Sequence, residues 1–177
     1  MPNHKDPISE RMKCNRGEEI AIEYFKRKDI EYDDFGWRYK DDTDTRKSLP
    51  KNIRSMPDFI LYVKPPIFIE CKHGSIGNPK YNPECDYPHV KLKLNDLEAY
   101  RFWDKIMKVY LLVVWRATNL PYNGKISLRS MFNLIDIYNY NDKILKYKNE
   151  GEYNQEFYPI SLEHLLEYKK RAKYEKR

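Results

Sequence analysis

Hydrophobic and polar positions follow two different periods along the chain, and these periods predict its helices and strands. From Asn15 onward, apolar residues recur at helical spacing, which predicts a first helix capped by Asn15. On this helix Glu18 falls at the edge of the apolar stripe, whereas Glu19 and Glu23 fall on the solvated side. Glu18 is therefore the glutamate best placed to face the interior.

Strand patterns follow the first helix. Residues 30–40 predict a first strand or a bulged pair of strands, and residues 59–63 and 67–70 predict two more. A short Lys-Pro-Pro connection joins the last two runs, so we expect them to form an antiparallel hairpin. Residues 74–90 are interrupted by glycine and proline and predict a loop.

The second half of the chain alternates between helix and strand patterns. Helical spacing predicts a helix over residues 94–107, and residues 108–116 are apolar on both faces, as in a central strand of a covered sheet. Residues 130–140 predict a further strand, and Ser161 is placed to cap a last helix with a strongly basic end. The predicted order is one helix, three strands, one helix, two strands and one helix.

This order describes an α/β or α+β fold in which helices flank a central mixed sheet. The chain has 177 residues, a length that suits one domain. We expect residues 1–14 to be a flexible N-terminal segment. Residues 15–177 are then a single domain that ends in the basic helix.

The charge of the chain indicates the kind of molecule that it binds. The chain carries 33 lysine and arginine residues against 27 aspartate and glutamate residues, a formal net charge of +6. Such a balance favours an anionic partner, usually nucleic acid, and the alternative is a basic protein without a specific partner. No apolar run approaches the roughly 18 residues of a membrane span, and the N-terminus lacks the apolar core of a signal peptide. Three cysteines without metal-ligand spacing favour free thiols, so the expected location is the cytoplasm.

Candidate chemistry lies at the ends of the predicted hairpin. Asp58 begins one strand and Glu70 ends the next, so antiparallel pairing brings the two carboxylates to the same end of the sheet. Two carboxylates this close repel each other unless a cation lies between them, and Mg²⁺ or Mn²⁺ prefers such oxygen ligands. The backbone carbonyl of Cys71 is a third candidate ligand, and Glu18 is a candidate outer or second-metal ligand.

Lys72 lies two residues after Glu70 and therefore points to the same face of the strand. An ammonium group beside a bound metal ion can orient or deprotonate a water molecule, or stabilise charge on a phosphate. Carboxylates, a lysine and Mg²⁺ around a water molecule suit hydrolysis of a phosphodiester. The alternative is that Asp58 and Lys72 are solvated strand ends that form an ion pair.

The spacing of these residues resembles the motif of the PD-(D/E)xK nuclease superfamily. A Pro-Asp pair that ends at Asp58 is followed, after eleven residues, by the Glu-Cys-Lys run that begins at Glu70. The stretch "GEEIA" from Gly17 resembles the first-helix glutamate motif of that superfamily, and residues 95–115 match its next two core elements. The resemblance spans residues 15–117.

This resemblance implies a restriction-endonuclease-like core and a metal-dependent DNA endonuclease that hydrolyses phosphodiester bonds. It implies Asp58 and Glu70 as metal ligands and Lys72 as the catalytic lysine. Glu18 is implied as the first-helix acid and a fourth catalytic residue. Two alternatives stay open: a restriction or repair endonuclease that recognises a sequence, and a non-catalytic DNA-binding protein on the same fold.

Within the superfamily, the layout is most similar to the small Holliday-junction resolvases. This similarity implies branched duplex DNA as the substrate, a homodimer and no membrane partner. The helix after the motif often carries a supporting glutamine in that group, and Asn95 and Asp96 occupy its neighbourhood here. Abundant lysine, asparagine and tyrosine favour a viral or phage source.

Five side chains are candidates for contacts with DNA, and a solvated surface is the alternative for each of them. They are Lys51, Arg54, His73, Lys91 and Lys93. A zinc site is disfavoured, because the histidines and cysteines of this region fit no compact zinc pattern. Those residues are Cys71, His73, Cys85 and His89.

Overall fold

The computed structural model describes residues 7–35, 49–76, 87–115, 126–148 and 154–165. The helices are α1 (Pro7–Arg27), α2 (Lys51–Arg54), α3 (Leu94–Ile106) and α4 (Met131–Ile137). The strands are β1 (Tyr32–Asp34), β2 (Phe59–Leu61), β3 (Ile67–Ile76), β4 (Pro88–Lys93), β5 (Val109–Trp115), β6 (Ile126–Ser130), β7 (Leu145–Lys148) and β8 (Asn154–Ser161). Within these ranges, no helix has both the length and the apolar character needed to cross a membrane.

Five strands form a mixed sheet in the order β1-β2-β3-β5-β6. Strands β3 and β5 run parallel, and the other neighbours are antiparallel. Strand β5 is paired on both sides, and residues 111–114 are fully buried, as expected for a strand that is covered on both faces. The fold is therefore α+β, with a mixed sheet flanked by helices.

Two apolar clusters lie on opposite faces of this sheet. On one face, Leu112 of β5 packs with Ala21 and Phe25 of α1. On the other face, Leu111 belongs to a larger cluster that includes residues of α3 and α4. Because side chains alternate between the faces of a strand, α1 covers one face of the sheet, and α3 and α4 cover the other.

A second group of antiparallel strands, in the order β4-β8-β7, continues from the end of β3. It is attached where Ser75 and Ile76 of β3 pair with β4. Strand β2 pairs with β3 only as far as Ile69. On this edge of β3, residues 70–74 lie between the part that pairs with β2 and the part that pairs with β4. No described strand pairs with them on this edge, and the candidate site lies at this gap.

Several predicted elements are confirmed. The antiparallel hairpin of β2 and β3 forms, and α3 and β5 lie where the patterns of residues 94–107 and 108–116 placed a helix and a central strand. Ser161 caps the last helical turn, because its Oγ accepts a hydrogen bond from the N–H of His164 at 3.1 Å. The predicted basic end of that helix lies outside the described residues.

The predicted start of the first helix is wrong. Helix α1 begins at Pro7, so Asn15 lies inside the helix and does not cap it. Proline is favoured in the first turn of a helix because the N–H that it lacks would have no helical partner there. The helix therefore begins at Pro7, more than two turns before the predicted start at Asn15.

The predicted strand at residues 130–140 is also wrong. Strand β6 ends at Ser130, and α4 begins at the next residue. Met131, Leu134 and Ile135 recur at helical spacing and are buried on one side of α4. In a run this short, the same apolar residues fit a strand or a helix, and burial against the sheet decides between them.

Candidate active site

A cleft opens at the gap in the edge of β3. Phe59 pairs with Ile69, so Asp58 lies opposite Glu70. The cleft has a volume of ≈ 170 Å³, several times the roughly 30 Å³ that a water molecule occupies in the liquid. Its walls are formed by Ser55, Met56, Asp58, Glu70, Lys72, Asp96 and Tyr100. The structure therefore brings Asp58, Glu70 and Lys72 together, as the sequence predicts.

The main chain of β3 holds the Asp58 carboxylate. The N–H of Cys71 donates a hydrogen bond to Oδ2 of Asp58 at 2.8 Å. The N–H of Phe68 points to the other edge of β3, on the β5 side, where it donates to the carbonyl of Lys108 at 2.9 Å. Alternate residues of β3 therefore direct their main-chain N–H groups to opposite edges. Since the N–H and C=O of one strand residue point to the same edge, the carbonyl of Cys71 points to the edge of β3 on which Asp58 lies.

The Glu70 carboxylate is buried, with 3% of the residue exposed. Burial raises the pKa of Glu70 to about 7, and the charge of Asp58 acts in the same direction. The Lys72 ammonium and a hydrogen bond from Tyr100 lower this pKa, without overcoming the effect of burial. Two facing carboxylates, one of them desolvated, make the cleft a place where a cation is stabilised.

Lys72 forms an ion pair with Oε1 of Glu70. Burial alone would lower the pKa of Lys72, but the carboxylates of Glu70 and Asp58 outweigh it and raise the pKa above its usual range. Lys72 is therefore an ammonium ion in the protein alone. Without a metal ion, Lys72 therefore acts as a charged hydrogen-bond donor to Glu70.

Tyr100 is a cleft residue that sequence reasoning missed. Its hydroxyl hydrogen-bonds to Glu70, and burial, together with the nearby carboxylates, raises the pKa of the phenol well above its usual value. Tyr100 therefore stays protonated and donates to the carboxylate. The apolar spacing of α3 correctly assigns its ring to the buried face, but it gives no information about the hydroxyl.

Asp96 lies one turn before Tyr100 on α3, and both side chains face the cleft. Oδ1 of Asp96 accepts a hydrogen bond from Oγ of Ser55 at 3.3 Å. Asn95, the other residue noted in the neighbourhood of the expected glutamine, is exposed. The helix after the motif thus supplies a carboxylate and a tyrosine to the cleft.

Glu18 is buried but does not line the cleft. It lies near the thiol of Cys71, whose pKa is raised well above its usual value by burial and by the charges of Asp58, Glu70 and Glu18. The Cys71 side chain packs with α1 and alternates with those of Glu70 and Lys72 along β3. Glu18 therefore faces inward, as predicted, but from the α1 face of the sheet.

The donor set of the cleft fits a hard divalent cation that keeps part of its water shell. Within the described ranges, no three His, Cys, Asp or Glu side chains gather closely enough to form a complete ligand set. An ion between Asp58 and Glu70 would therefore draw further ligands from the Cys71 carbonyl and from water. Mg²⁺ binds in this way, with one or two carboxylates and several water molecules.

Of the side chains considered for zinc, the structure describes those of His89 and Cys71. The His89 ring is buried, stacks on Phe157 with ring centroids 6.3 Å apart, and makes a 2.9 Å hydrogen bond through Nδ1 to the carbonyl of Tyr87. Burial lowers the pKa of His89, which favours the neutral ring. Cys85 and the side chain of His73 lie outside the described residues.

The candidate DNA-binding lysines are exposed near the cleft and on β4. Lys51 of α2 forms an ion pair with Glu98 of α3 at 3.2 Å, with 55% and 84% of these side chains exposed. Lys91 and Lys93 share one face of β4, and the Lys91 ammonium lies 4.9 Å from the ring centroid of Phe157. The side chains of Arg54 and His73 lie outside the described residues.

Metal binding at the cleft is expected to depend on pH through Glu70. A cation binds the ionised carboxylate, so below the Glu70 pKa of about 7 it must displace a proton. We expect the affinity for Mn²⁺ to rise about tenfold per pH unit up to that value and to level off above it. The metal-free protein should lose stability over the same range, because the native state binds more protons than the unfolded state.

Titration calorimetry with Mn²⁺ between pH 5.5 and pH 8.5, in buffers of different ionisation enthalpy, measures the affinity and the number of protons released. Glu70→Gln should abolish this pH dependence, and Glu98→Gln is its matched control, since it makes the same change at an exposed glutamate outside the cleft. An affinity that stays constant across this range would show that Glu70 does not take part in binding.

No protein-family model matches the chain, and no curated protein or solved structure matches it either.

Proposed function

We propose that the protein is a metal-dependent DNA endonuclease with a restriction-endonuclease-like core. The observation that carries this proposal is the cleft in which Asp58 and the buried Glu70 face each other beside Lys72. The order of the surrounding elements supports it: a helix, a hairpin that carries both acids, a helix and a parallel central strand. A structural ion pair would account for Lys72 and Glu70, but it would leave Asp58 repelling Glu70 across the same cleft.

Asp58, Glu70 and the Cys71 carbonyl are the groups that would hold Mg²⁺ or Mn²⁺. When bound, such an ion supplies Lewis-acid activation of a phosphate oxygen and makes a water molecule more acidic. The N–H of Cys71 orients Asp58, and the hydroxyl of Tyr100 orients Glu70. A cation between the carboxylates would release Lys72 from part of its ion pair, so that its ammonium can donate to a phosphate oxygen where negative charge develops.

The substrate proposal rests on charge and on the resemblance to junction resolvases. The net charge of +6 favours a polyanion, although the cleft itself is acidic. This combination suits an enzyme whose surface attracts the phosphate backbone and whose centre holds a cation. We infer branched duplex DNA as the substrate and a homodimer as the working form, because paired cuts on a symmetric junction need two active sites.

Cleavage of a labelled four-way junction tests this proposal. Linear duplex and single strands of the same sequence are compared with the junction, in Mg²⁺ and in EDTA. Paired symmetric nicks on the junction alone are the expected result. Cutting of linear duplex at specific sequences would support a nuclease function, but of the restriction or repair class. Tight DNA binding without cleavage in Mg²⁺ or Mn²⁺ would instead identify a non-catalytic DNA-binding protein.

A further inference from the structure

Trp103 of α3 contacts both of the segments that carry the paired carboxylates. Its indole Nε1–H donates a hydrogen bond to the main-chain carbonyl of Asn52, at 2.9 Å. Its ring packs edge-on against Phe68, with centroids 5.4 Å apart and an interplanar angle of 67°. Phe68 lies two residues before Glu70 on the same face of β3, and Asn52 lies in α2, the short helix that leads into Asp58.

The segment between Asn52 and Asp58 is short and internally bonded. The N–H of Met56 donates to the carbonyl of Ile53 at 3.2 Å, and Ser55 is bonded to Asp96 of α3. These contacts restrain the segment, so we expect a displacement at Asn52 to shift Asp58 as well. Ser55 and Met56 also form part of the cleft wall.

Trp103 makes a partly buried contact between α2 and α3. The Lys51–Glu98 pair is exposed on both sides, and surface pairs of this kind contribute little. The Trp103 bond is partly buried, and the loss of a buried donor leaves its acceptor carbonyl unsatisfied. The indole also combines a large apolar body against Phe68 with a polar donor at its edge.

We propose that Trp103 is a positioning residue that sets the placement of Asp58 relative to Glu70. It bonds to the segment that ends at Asp58 and packs on the strand that carries Glu70. The consequence for catalysis rests on the proposed nuclease function. The positioning of Asp58 can be tested without that function, because the hydrogen bond from the Cys71 N–H to Asp58 depends on it in the protein without metal or DNA.

Hydrogen exchange of the Cys71 amide, followed by NMR, tests this proposal with Trp103→Phe. Phenylalanine keeps an aromatic ring against Phe68, but it removes the N–H donor together with part of the indole ring. We expect the Cys71 amide to exchange about tenfold faster, the effect of losing one hydrogen bond of ordinary strength. Amides in the centre of β5 should be unaffected. Asn52→Ala is the control, since it leaves the main-chain carbonyl in place and should change nothing.

Unchanged exchange at Cys71 would overturn the proposal, and so would a uniform acceleration across β3 and β5, which indicates general destabilisation. If Trp103→Phe does not fold, benzothienylalanine at position 103 replaces the N–H with sulfur at nearly the same shape and gives the same readout. In the nuclease assay, we expect a lower kcat and weaker Mn²⁺ binding with the KM for DNA unchanged. Wild-type protein that does not cleave would refute the proposed function, while the exchange result would still decide the role of Trp103.

Discussion

Asp58→Asn is expected to lower Mg²⁺-dependent DNA cleavage by on the order of a thousandfold, or roughly 4 kcal/mol of transition-state stabilisation. The neutral amide is a poor ligand for Mg²⁺, and it removes one of the two charges that face each other across the cleft. Its remaining oxygen can still accept the hydrogen bond from the Cys71 N–H, so the fold should be retained. DNA affinity in EDTA should stay close to that of the wild type.

Asp33→Asn provides a matched control for this change. Asp33 lies on β1, accepts a hydrogen bond from the Tyr62 hydroxyl at 2.7 Å, and does not line the cleft. The same chemical change there should leave cleavage within about twofold of the wild type, since isolated surface substitutions have small effects. Steady-state cleavage of the preferred substrate, with binding measured in parallel by fluorescence anisotropy, separates catalysis from affinity. Wild-type activity in Asp58→Asn would exclude this carboxylate from the metal centre.

Lys72→Met is expected to reduce cleavage by about a hundredfold to a thousandfold, as for the loss of one charged donor in a catalytic site. Methionine preserves most of the side-chain length and apolar stem and removes the ammonium. At a pH where Glu70 is ionised, metal affinity should be retained or increased, because Glu70 loses the cation that competes for its carboxylate; the same loss raises the pKa of Glu70, so this comparison is made at alkaline pH. The two variants should therefore differ in the properties they lose. Asp58→Asn should lose both metal binding and cleavage, whereas Lys72→Met should lose only cleavage.

Lys108→Met is the control for the loss of a lysine. Lys108 pairs with Asp104 at 2.8 Å on the surface of the protein, and its side chain is 66% exposed. Cleavage assays and Mn²⁺ calorimetry on Lys72→Met and Lys108→Met would show whether Lys72→Met alone loses cleavage while keeping metal binding. Cleavage by Lys72→Met at the wild-type rate would mean that the ammonium only balances the charge of Glu70 in the protein without metal.

The central part of the site could be predicted from the sequence because it depends on local rules. The Lys-Pro-Pro connection determines an antiparallel hairpin, and hairpin register places Asp58 opposite Glu70. Strand alternation then places Lys72 on the same face of β3 as Glu70 and the Cys71 thiol on the opposite face, where the structure places it. These steps require only the contacts between two neighbouring strands.

Contacts between distant segments could not be predicted in the same way. Helical periodicity shows that Glu18 faces inward, but it does not show which face of the sheet α1 covers. The hydrogen bonds of Tyr100 to Glu70 and of Trp103 to Asn52 join segments whose relative placement depends on the whole core. Sequence patterns place the aromatic rings in the core and leave the partners of their polar groups undetermined.

The second group of strands was not predicted, and the start of β4 and the end of β3 fall within the loop predicted over residues 74–90. Strand β8 contains Pro159, and a proline inside an apolar run argues against a strand with partners on both sides. Strand β7 pairs with β8 only over residues 154–157, so Pro159 has a partner strand on the β4 side alone. Proline is tolerated at a strand position that has a partner strand on one side only.

Anomalous diffraction from crystals soaked in Mn²⁺ at pH 8, where Glu70 is ionised, tests the metal centre most directly. We predict a single strong peak in the cleft, within ligand distance of the Asp58 and Glu70 carboxylates and of the Cys71 carbonyl. The same soak of Asp58→Asn crystals should show the peak lost or greatly weakened. A cleft without manganese in the wild-type crystals, at concentrations that support cleavage, would contradict the central claim that these two carboxylates form the metal-binding centre of a nuclease.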